Sequence, residues 1–232
     1  MSSHEQRTTF RSQAIFIAVF VVLGFIALQV PLSQLVGSAS KFTLFDAFGP
    51  IAPAFIGTIP GLIAVFLMQF FNFVLHGAQI LDAGTIIRFF PMLFAAFFFG
   101  KKSVWNIIIP ALAMIAFIAH PIGRTVWYFS LYWTIPMVAY FLRDRWLMAR
   151  TLGATFSAHA VGGALWIYAF NLKASIWIGL IPVVALERIS FAVGIAAAYV
   201  LTNSLLDVLV RRRVIQLPFT INPQYVLRRK GI

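Results

Sequence analysis

Long apolar runs, separated by short polar or Gly/Pro-containing breaks, dominate the pattern along this chain. Several of the runs approach 20 residues, which is roughly the length that an α-helix needs to cross a membrane. No run shows the strict alternation of apolar and polar residues that is typical of a transmembrane β-strand. The pattern therefore predicts an all-α, polytopic membrane helix bundle.

The breaks divide the chain into about eight predicted transmembrane helices. Six or seven helices stay open as alternatives because the second apolar segment is short for a full span. The first helix is expected to bend near Pro31. Pro182 and the Glu187-Arg188 pair predict a break in the last apolar region, so that only its second part spans. The predicted spans cover residues 12–36, 44–57, 60–77, 84–99, 103–119, 124–141, 147–170 and 188–210.

Composition supports the same class. Hydrophobic residues make up 61% of the 232 residues and charged residues only 10%, with a mean hydropathy of +0.92. A soluble domain carries about 25% charged residues, so it could not hide this much apolar surface. The chain contains no cysteine, which excludes disulfides, thiolate metal sites and cysteine nucleophiles.

Basic residues are distributed unevenly between the predicted loops. A net charge of +12 would suggest nucleic acid in a soluble protein, but here the charges lie between apolar runs. With the N-terminus inside, 13 of the 18 lysines and arginines fall on the cytoplasmic side and three on the outer side. The prediction is a multi-pass plasma-membrane protein with both termini in the cytoplasm. Its parts are an N-terminal segment (1–11), a transmembrane domain (12–210) and a loose basic tail (211–232).

This topology gathers candidate ligand-binding residues on the predicted outer side. Asn72 and His76 are four positions apart and share one helix face, which favours a lined cavity. Arg88 either reaches the lipid headgroups or contacts an anionic ligand or Asp46. Asp46 either caps its helix or contacts the ligand. The candidate substrate-binding residues are Asp46, Asn72, His76, Arg88, His120, Arg124 and Trp127.

Other polar and aromatic residues have competing interpretations. Trp127 and Tyr128 either belong to the aromatic belt at the membrane surface or stack on a flat ligand. Glu187 and Arg188 are adjacent, so they point about 100° apart and are expected to find partners on other helices. The histidines lack the spacing of metal ligands, and no metal site or cofactor is predicted.

The order of elements between residues 12 and 120 resembles the S components, the substrate-capture subunits, of energy-coupling factor (ECF) vitamin transporters, especially the riboflavin type. The resemblance rests on a K-x-x-x-F-D loop, a Gly/Pro break, a helix ending in N-x-x-x-H and a Gly-led helix closing on Gly-Lys-Lys. A further A-x-x-x-A pattern lies in the first helix. These motifs are Lys41 to Asp46, Gly57 to Gly61, Asn72 to His76, Gly84 to Lys102 and Ala14 to Ala18.

The resemblance implies a membrane-embedded subunit that captures a small vitamin-like substrate. It further implies that Ala14 and Ala18 dock a transmembrane coupling subunit, whose partner ATPases supply the energy. The family usually has six helices, whereas about eight are predicted here. The roles of the helices after residue 120 therefore do not follow from the resemblance.

No catalytic pattern is found in the sequence. It lacks a P-loop, an H-E-x-x-H motif and a Ser-His-Asp ordering, so the expectation is that the chain is not an enzyme. Any ATP hydrolysis would occur on partner subunits. Two alternatives remain: a stand-alone secondary transporter, which needs ionisable residues in mid-membrane, and an integral membrane protein without a transport role.

Overall fold

The structure, a computed structural model, describes residues 17–34, 41–75, 83–215, 217, 219 and 221–227. The described part is mostly helical, with a single two-stranded sheet. The strands are β1 (Pro31–Gln34) and β2 (Lys41–Thr43). The α-helices are α1 (Ile17–Leu28), α2 (Phe45–Phe48), α3 (Ala52–Ile56), α4 (Thr58–Leu75), α5 (Ala83–Arg88), α6 (Pro91–Gly100), α7 (Trp105–Ala119), α8 (Pro121–Thr125), α9 (Thr134–Leu142), α10 (Leu147–Phe170) and α11 (Ala174–Arg211).

Three helical segments in the described ranges are long and apolar enough to cross a membrane: α4, the run Ala83–Gly100 and α11. Three further helical segments are apolar but shorter: α1, Phe45–Ile56 and α7. Only 22% of the apolar window of α4 is buried inside the protein, so most of its surface faces outward. An outward apolar surface of this kind is what lipid would cover, and the structure is consistent with a membrane protein.

The first helix is shorter than predicted. It ends at Leu28 rather than near residue 36, and the chain then enters β1, which pairs antiparallel with β2. The prediction of a bent helix through Pro31 is wrong, because proline lacks the N–H that would continue the helix and is tolerated at a strand edge. Leu44 donates a backbone hydrogen bond to the Val30 carbonyl at 2.8 Å, which closes this hairpin against α1 and α2.

The short second segment lies in the interior of the protein. It consists of α2, a 3₁₀ turn (Gly49–Ile51) and α3, and it ends at Gly57, whose φ of 89° favours glycine. At twelve residues it is about 18 Å long, too short to cross a bilayer untilted. Phe45 and Ile51 are fully buried, so this segment fills the core.

The predicted span 124–141 is not one helix. It is divided into α8, a 3₁₀ helix (Trp127–Trp133) and α9. The hydroxyls of Ser130 and Thr134 donate to the carbonyls three residues earlier at 2.7 Å, which supports the tighter 3₁₀ geometry. Pro136 offers no N–H to the preceding turn, so the regular helix begins only after this stretch.

The predicted break in the last apolar region is absent from α11, and the prediction is wrong. The helix continues over 38 residues, about 57 Å, through Pro182. The charged side chains of Glu187 and Arg188 do not interrupt the helix, because they pair with each other. Nη2 of Arg188 lies 3.6 Å from Oε2 of Glu187. The expectation that these two side chains are not each other's partner is wrong as well, since their long side chains bend towards one another.

Helix α10 joins the two hydrophobic clusters of the core. It contacts α6, α7, α9 and α11. Its glycines allow close approach: a Cβ at Gly153 would lie 2.1 Å from the Phe98 ring, and one at Gly163 would lie 2.7 Å from the Trp133 ring. These contacts agree with the role expected for glycines in packed membrane helices.

The C-terminal end of α6 is capped by arginines from the neighbouring loop and helix. Arg143 donates to the carbonyls of Phe98, Phe99 and Lys101, and Arg150 donates to Phe99 at 2.6 Å. These are carbonyls that a helix end leaves without an internal partner. Burial lowers the pKa of Arg143 to about 10, and the nearby charge of Arg150 acts in the same direction.

The described part of the tail packs on this end of the bundle, so the expectation of a loose tail is wrong there. The Asn222 N–H donates to Oδ1 of the buried Asn203 at 3.3 Å. The Leu227 N–H donates to Oγ of Ser204 at 2.9 Å, and the Tyr225 ring lies 5.3 Å from that of Tyr199. Buried polar groups need such partners, and α11 finds them in the tail.

Candidate ligand cavity

A cavity of about 170 Å³ lies between the hairpin and the helices α2, α4, α5, α6, α10 and α11, with the 3₁₀ helix on one side. Its walls are mostly apolar. Four aromatic side chains line it, and Phe129 and Trp177 contact each other with their ring centroids 5.0 Å apart. The four aromatic residues are Phe42, Phe129, Trp166 and Trp177.

Two arginines of the cavity approach the same aromatic ring. The guanidinium of Arg88 lies 5.8 Å from the ring centroid of Phe42, and that of Arg188 lies 4.7 Å from it. Cation–π attraction at these distances stabilises a charge that has left water. Because Phe42 is in β2, the hairpin is held over the cavity by both arginines.

Asp46 closes another side of the cavity from the first turn of α2. Its Oδ2 accepts hydrogen bonds from the Thr43 backbone N–H at 2.7 Å and from the Thr43 hydroxyl at 3.5 Å. The N-cap position of α2 is Leu44 and carries no side-chain cap hydrogen bond, so Asp46 does not cap the helix; it lies in the first turn, where a negative charge favours the positive end of the helix dipole. The carboxylate is also within electrostatic range of Arg88 and Arg188, so it offsets part of their positive charge.

His159 contributes a ring whose tautomer follows from its hydrogen bond. Trp133 Nε1 donates to His159 Nδ1 at 3.0 Å. A nitrogen that accepts a hydrogen bond carries no proton, so the neutral imidazole holds its proton on Nε2. His159 therefore brings an N–H donor to the lining of the cavity.

Two buried N–H donors of the cavity wall make no hydrogen bond to any residue in the described ranges. They are Nε of Arg188 and Nε1 of Trp177. Arg88 likewise makes no hydrogen bond or ion pair with the part of the chain that the structure describes. A buried donor without a partner costs about 1–3 kcal/mol, so the wall presents unused hydrogen-bonding capacity.

The structure brings together two of the predicted site residues, Asp46 and Arg88, in this cavity. Asn72 lies on α4 and accepts a hydrogen bond at 2.8 Å from the side-chain amide of Gln29 in the turn after α1. It is not part of the cavity lining. His76 lies outside the described residues.

The other predicted site residues lie away from the cavity. Nδ1 of His120 accepts from the Ile122 N–H at 3.3 Å and so caps α8, while its ring packs edge-on against Tyr168. Arg124 and Trp127 are exposed, and neither lines the cavity. Of the two predicted docking residues, Ala18 is exposed on α1 and Ala14 lies outside the described residues.

Several lining residues carried no functional prediction. No motif marks Phe42, Trp177 or His159 as a ligand-binding residue. The signal that could have found His159 is its place inside a long helical run, where ionisable residues are rare and functional by default, and the same signal singles out Arg188. No group of three potential metal ligands occurs in the described part of the chain.

Fold and site together describe a helical, membrane-type protein with an internal cavity of aromatic and ionisable residues. No protein-family profile, curated protein or solved structure matches this chain.

Proposed function

We propose that this chain is the membrane-embedded substrate-capture subunit of an importer for a small, vitamin-like nutrient. The observation that carries the proposal is the cavity itself, in which four charged side chains and a histidine converge between helices. Lipid anchoring does not require such a site. Together with the sequence resemblance, the cavity favours an S component whose transport is driven by separate coupling and ATPase subunits.

The free energy that is needed to place charged side chains inside a membrane supports a binding role for them. A charged side chain in a membrane helix costs about 2.5–3.5 kcal/mol at the bilayer centre on insertion scales, so such residues mark ligand or ion pathways. Arg88, Glu187 and Arg188 come from helices long and apolar enough to span. Their convergence on one cavity, with aromatic walls around it, is the arrangement of a pocket for a small molecule.

The proposed topology is multi-pass in the plasma membrane, with both termini in the cytoplasm. The basic loops support it because they meet at one end of the bundle: Arg143 contacts Lys101, and Lys102 pairs with Asp144 at 2.5 Å. Lysine and arginine are enriched on the cytoplasmic side of membrane proteins.

The depth of the cavity fits capture from outside. His159 is twelve residues from Leu147, where α10 begins, or about 18 Å at 1.5 Å per residue, and Arg88 is twelve residues from Gly100, the end of the helical run Ala83–Gly100. In a hydrocarbon core of about 30 Å, this length supports a proposed site beyond the midplane, on the outer side. The hairpin, through Phe42, covers that side of the cavity.

The test of the proposal is a thermal-shift and native-mass-spectrometry screen of the purified protein with vitamins and related nutrients. One ligand is expected to raise Tm by roughly 5–10 °C at a hundredfold excess over its Kd. A protein that binds none of them, and that supports no uptake in cells with the coupling and ATPase subunits, would overturn the proposal.

The second candidate function is a stand-alone secondary transporter. The ionisable pair Glu187-Arg188 within α11 is the observation that favours it, because ion coupling needs such residues in the membrane. Reconstitution of the chain alone in liposomes separates the two. Accumulation of ligand without any ATPase supports the secondary transporter, and binding without accumulation supports the capture subunit.

A further inference from the structure

We propose that the cavity binds a one-ring aromatic carboxylate, an inference that rests on the proposed capture function. Its basis is a combination found in the lining of the cavity. Space for a single ring, aromatic walls and unused N–H donors occur together, whereas the carboxylates already have partners.

The size of the cavity limits the ligand. A cavity of about 150 Å³ in another protein accepts benzene, so the volume of about 170 Å³ here suits one ring with a small substituent. A two-ring or three-ring compound would have to extend out of this space, because the cavity is partly open. The size therefore selects a single substituted ring.

The walls favour a flat, aromatic ligand. Phe129 and Trp177 present rings within 5.0 Å of each other at the cavity, and Trp166 and Phe42 complete the lining. Aromatic rings attract one another in offset and edge-on arrangements, beyond what the burial of apolar area contributes. Aliphatic ligands of the same volume would forgo this contribution.

The unused donors call for a ligand with acceptor oxygens. Nε of Arg188 and Nε1 of Trp177 are buried and have no hydrogen-bond partner within the described ranges. His159 adds its Nε2–H, because its Nδ1 already accepts from Trp133. Since buried donors are normally satisfied, the wall is complementary to a group that only accepts.

The guanidinium of Arg88 makes that group an anion. The two carboxylates already have partners: Asp46 accepts from Thr43, and Glu187 pairs with Arg188. Arg88 lies within electrostatic range of Asp46 but makes no hydrogen bond or ion pair with any described residue, and its guanidinium lies over the ring of Phe42. Guanidinium groups match the planar geometry of carboxylates, and hydrogen bonds between charged groups are the stronger ones.

The experiment measures binding of matched probes to the purified full chain by isothermal titration. The probes are benzoate, pyridine carboxylates and hydroxybenzoates, each with its carboxamide and its aminomethyl analogue. The carboxylate of at least one set is expected to bind tenfold or more tightly than its amide and its amine. Equal or tighter binding of amide or amine would overturn the inference.

Two variants test the residues, and an exposed tryptophan provides the control. Arg88→Gln should weaken carboxylate binding tenfold or more and leave amide binding within about twofold. Trp177→Phe keeps the ring and removes the N–H, so it should weaken carboxylate binding severalfold. Trp105→Phe, at an exposed position outside the cavity, should change neither. Size-exclusion profiles and Tm values check that each variant is folded.

The outcomes separate this inference from the proposed function. If only a neutral, cationic or multi-ring nutrient binds, the carboxylate inference falls and the capture function stands. If no probe binds and the vitamin screen also fails, both fall. Equal loss of carboxylate and amide binding in Arg88→Gln would show a structural role for Arg88 and overturn its assignment to the anion.

Discussion

Arg188 is the most deeply buried charge of the cavity, with 5% of the residue exposed. Its guanidinium pairs with Glu187 and lies 4.7 and 4.8 Å from the ring centroids of Phe42 and Phe191. Breaking a buried pair is costly because the remaining charge loses its compensation, whereas an exposed pair contributes little. Helix α11 contains both kinds of pair: the buried pair Glu187–Arg188 and the more exposed pair Asp207–Arg211.

We expect Glu187→Gln to lower the free energy of unfolding by about 1–3 kcal/mol, because it leaves Arg188 without its carboxylate. The Glu187 side chain is 23% exposed, so the lower part of that range applies. Asp207→Asn is the control, since the partner of Asp207, Arg211, is 65% exposed and its loss should cost under about 1 kcal/mol. Thermal unfolding in one detergent measures both. Equal Tm changes for the two variants would contradict the role given to the buried pair.

At the scale of elements, α3 packs closely against α4 at Gly61 and against α6 at Gly100. A Cβ added to Gly61 would lie 2.6 Å from Cα of Pro53, and one added to Gly100 would lie 2.3 Å from Cβ of the same proline. The first contact is with backbone, which has little freedom to move. Gly179 on α11 is the opposite case, with no atom within 4 Å of an added Cβ.

Gly61→Ala should destabilise the protein by about 1–3 kcal/mol, because overpacking outweighs the gain of about 1 kcal/mol in helix propensity. Gly179→Ala should be neutral or slightly stabilising for the same gain without a clash. Tm values of the two variants, compared with the wild-type protein, check this pair. A Gly61→Ala protein as stable as Gly179→Ala would mean that α3 and α4 do not approach this closely.

The hairpin is the second element with a testable role, because Phe42 lies against both arginines. If the cavity captures a ligand, Phe42→Ala should raise the dissociation rate about tenfold or more by opening the outer side and removing the cation–π contacts. Leu32→Ala, an exposed position on β1, is the control and should leave the rate unchanged. Stopped-flow release or surface-immobilised binding measures the rates. An unchanged rate in Phe42→Ala would show that the hairpin does not retain the ligand.

At the scale of the whole molecule, the proposed function separates binding from transport. In that proposal the cavity binds the ligand, whereas the exposed face of α1 that carries Ala18 docks a coupling subunit. Association of helices in lipid depends on close packing through small residues. A bulky side chain at the docking face should therefore affect transport alone.

Ala18→Trp is expected to abolish ligand uptake in cells that contain the coupling and ATPase subunits, while ligand binding by the purified variant stays within twofold of the wild-type value. Val19→Trp, exposed on the same helix but about 100° around its axis, is the matched control and should retain uptake. Loss of binding together with uptake in Ala18→Trp would exclude a specific docking role.

The positions where helices begin and end could be predicted from the sequence only where neighbouring residues determine them. Residues 147–170 form α10 as predicted, because no proline interrupts this stretch and its glycines are tolerated in a packed helix. The run 84–99 contains a turn before Pro91 that divides α5 from α6. Pro182 does not break α11. A turn thus precedes Pro91, whereas the helix continues through Pro182. The packing around each proline determines this difference.

The sequence by itself determined the helical, membrane-type character of the chain, because long apolar runs with few charges allow few other structures. It also drew attention to Asp46 and Arg88. Only the tertiary structure decided that these two meet Phe42, His159 and Arg188, because convergence depends on how each helix is rotated about its axis and packed against its neighbours. That rotation is set by contacts between residues more than a hundred positions apart, and no local pattern records them.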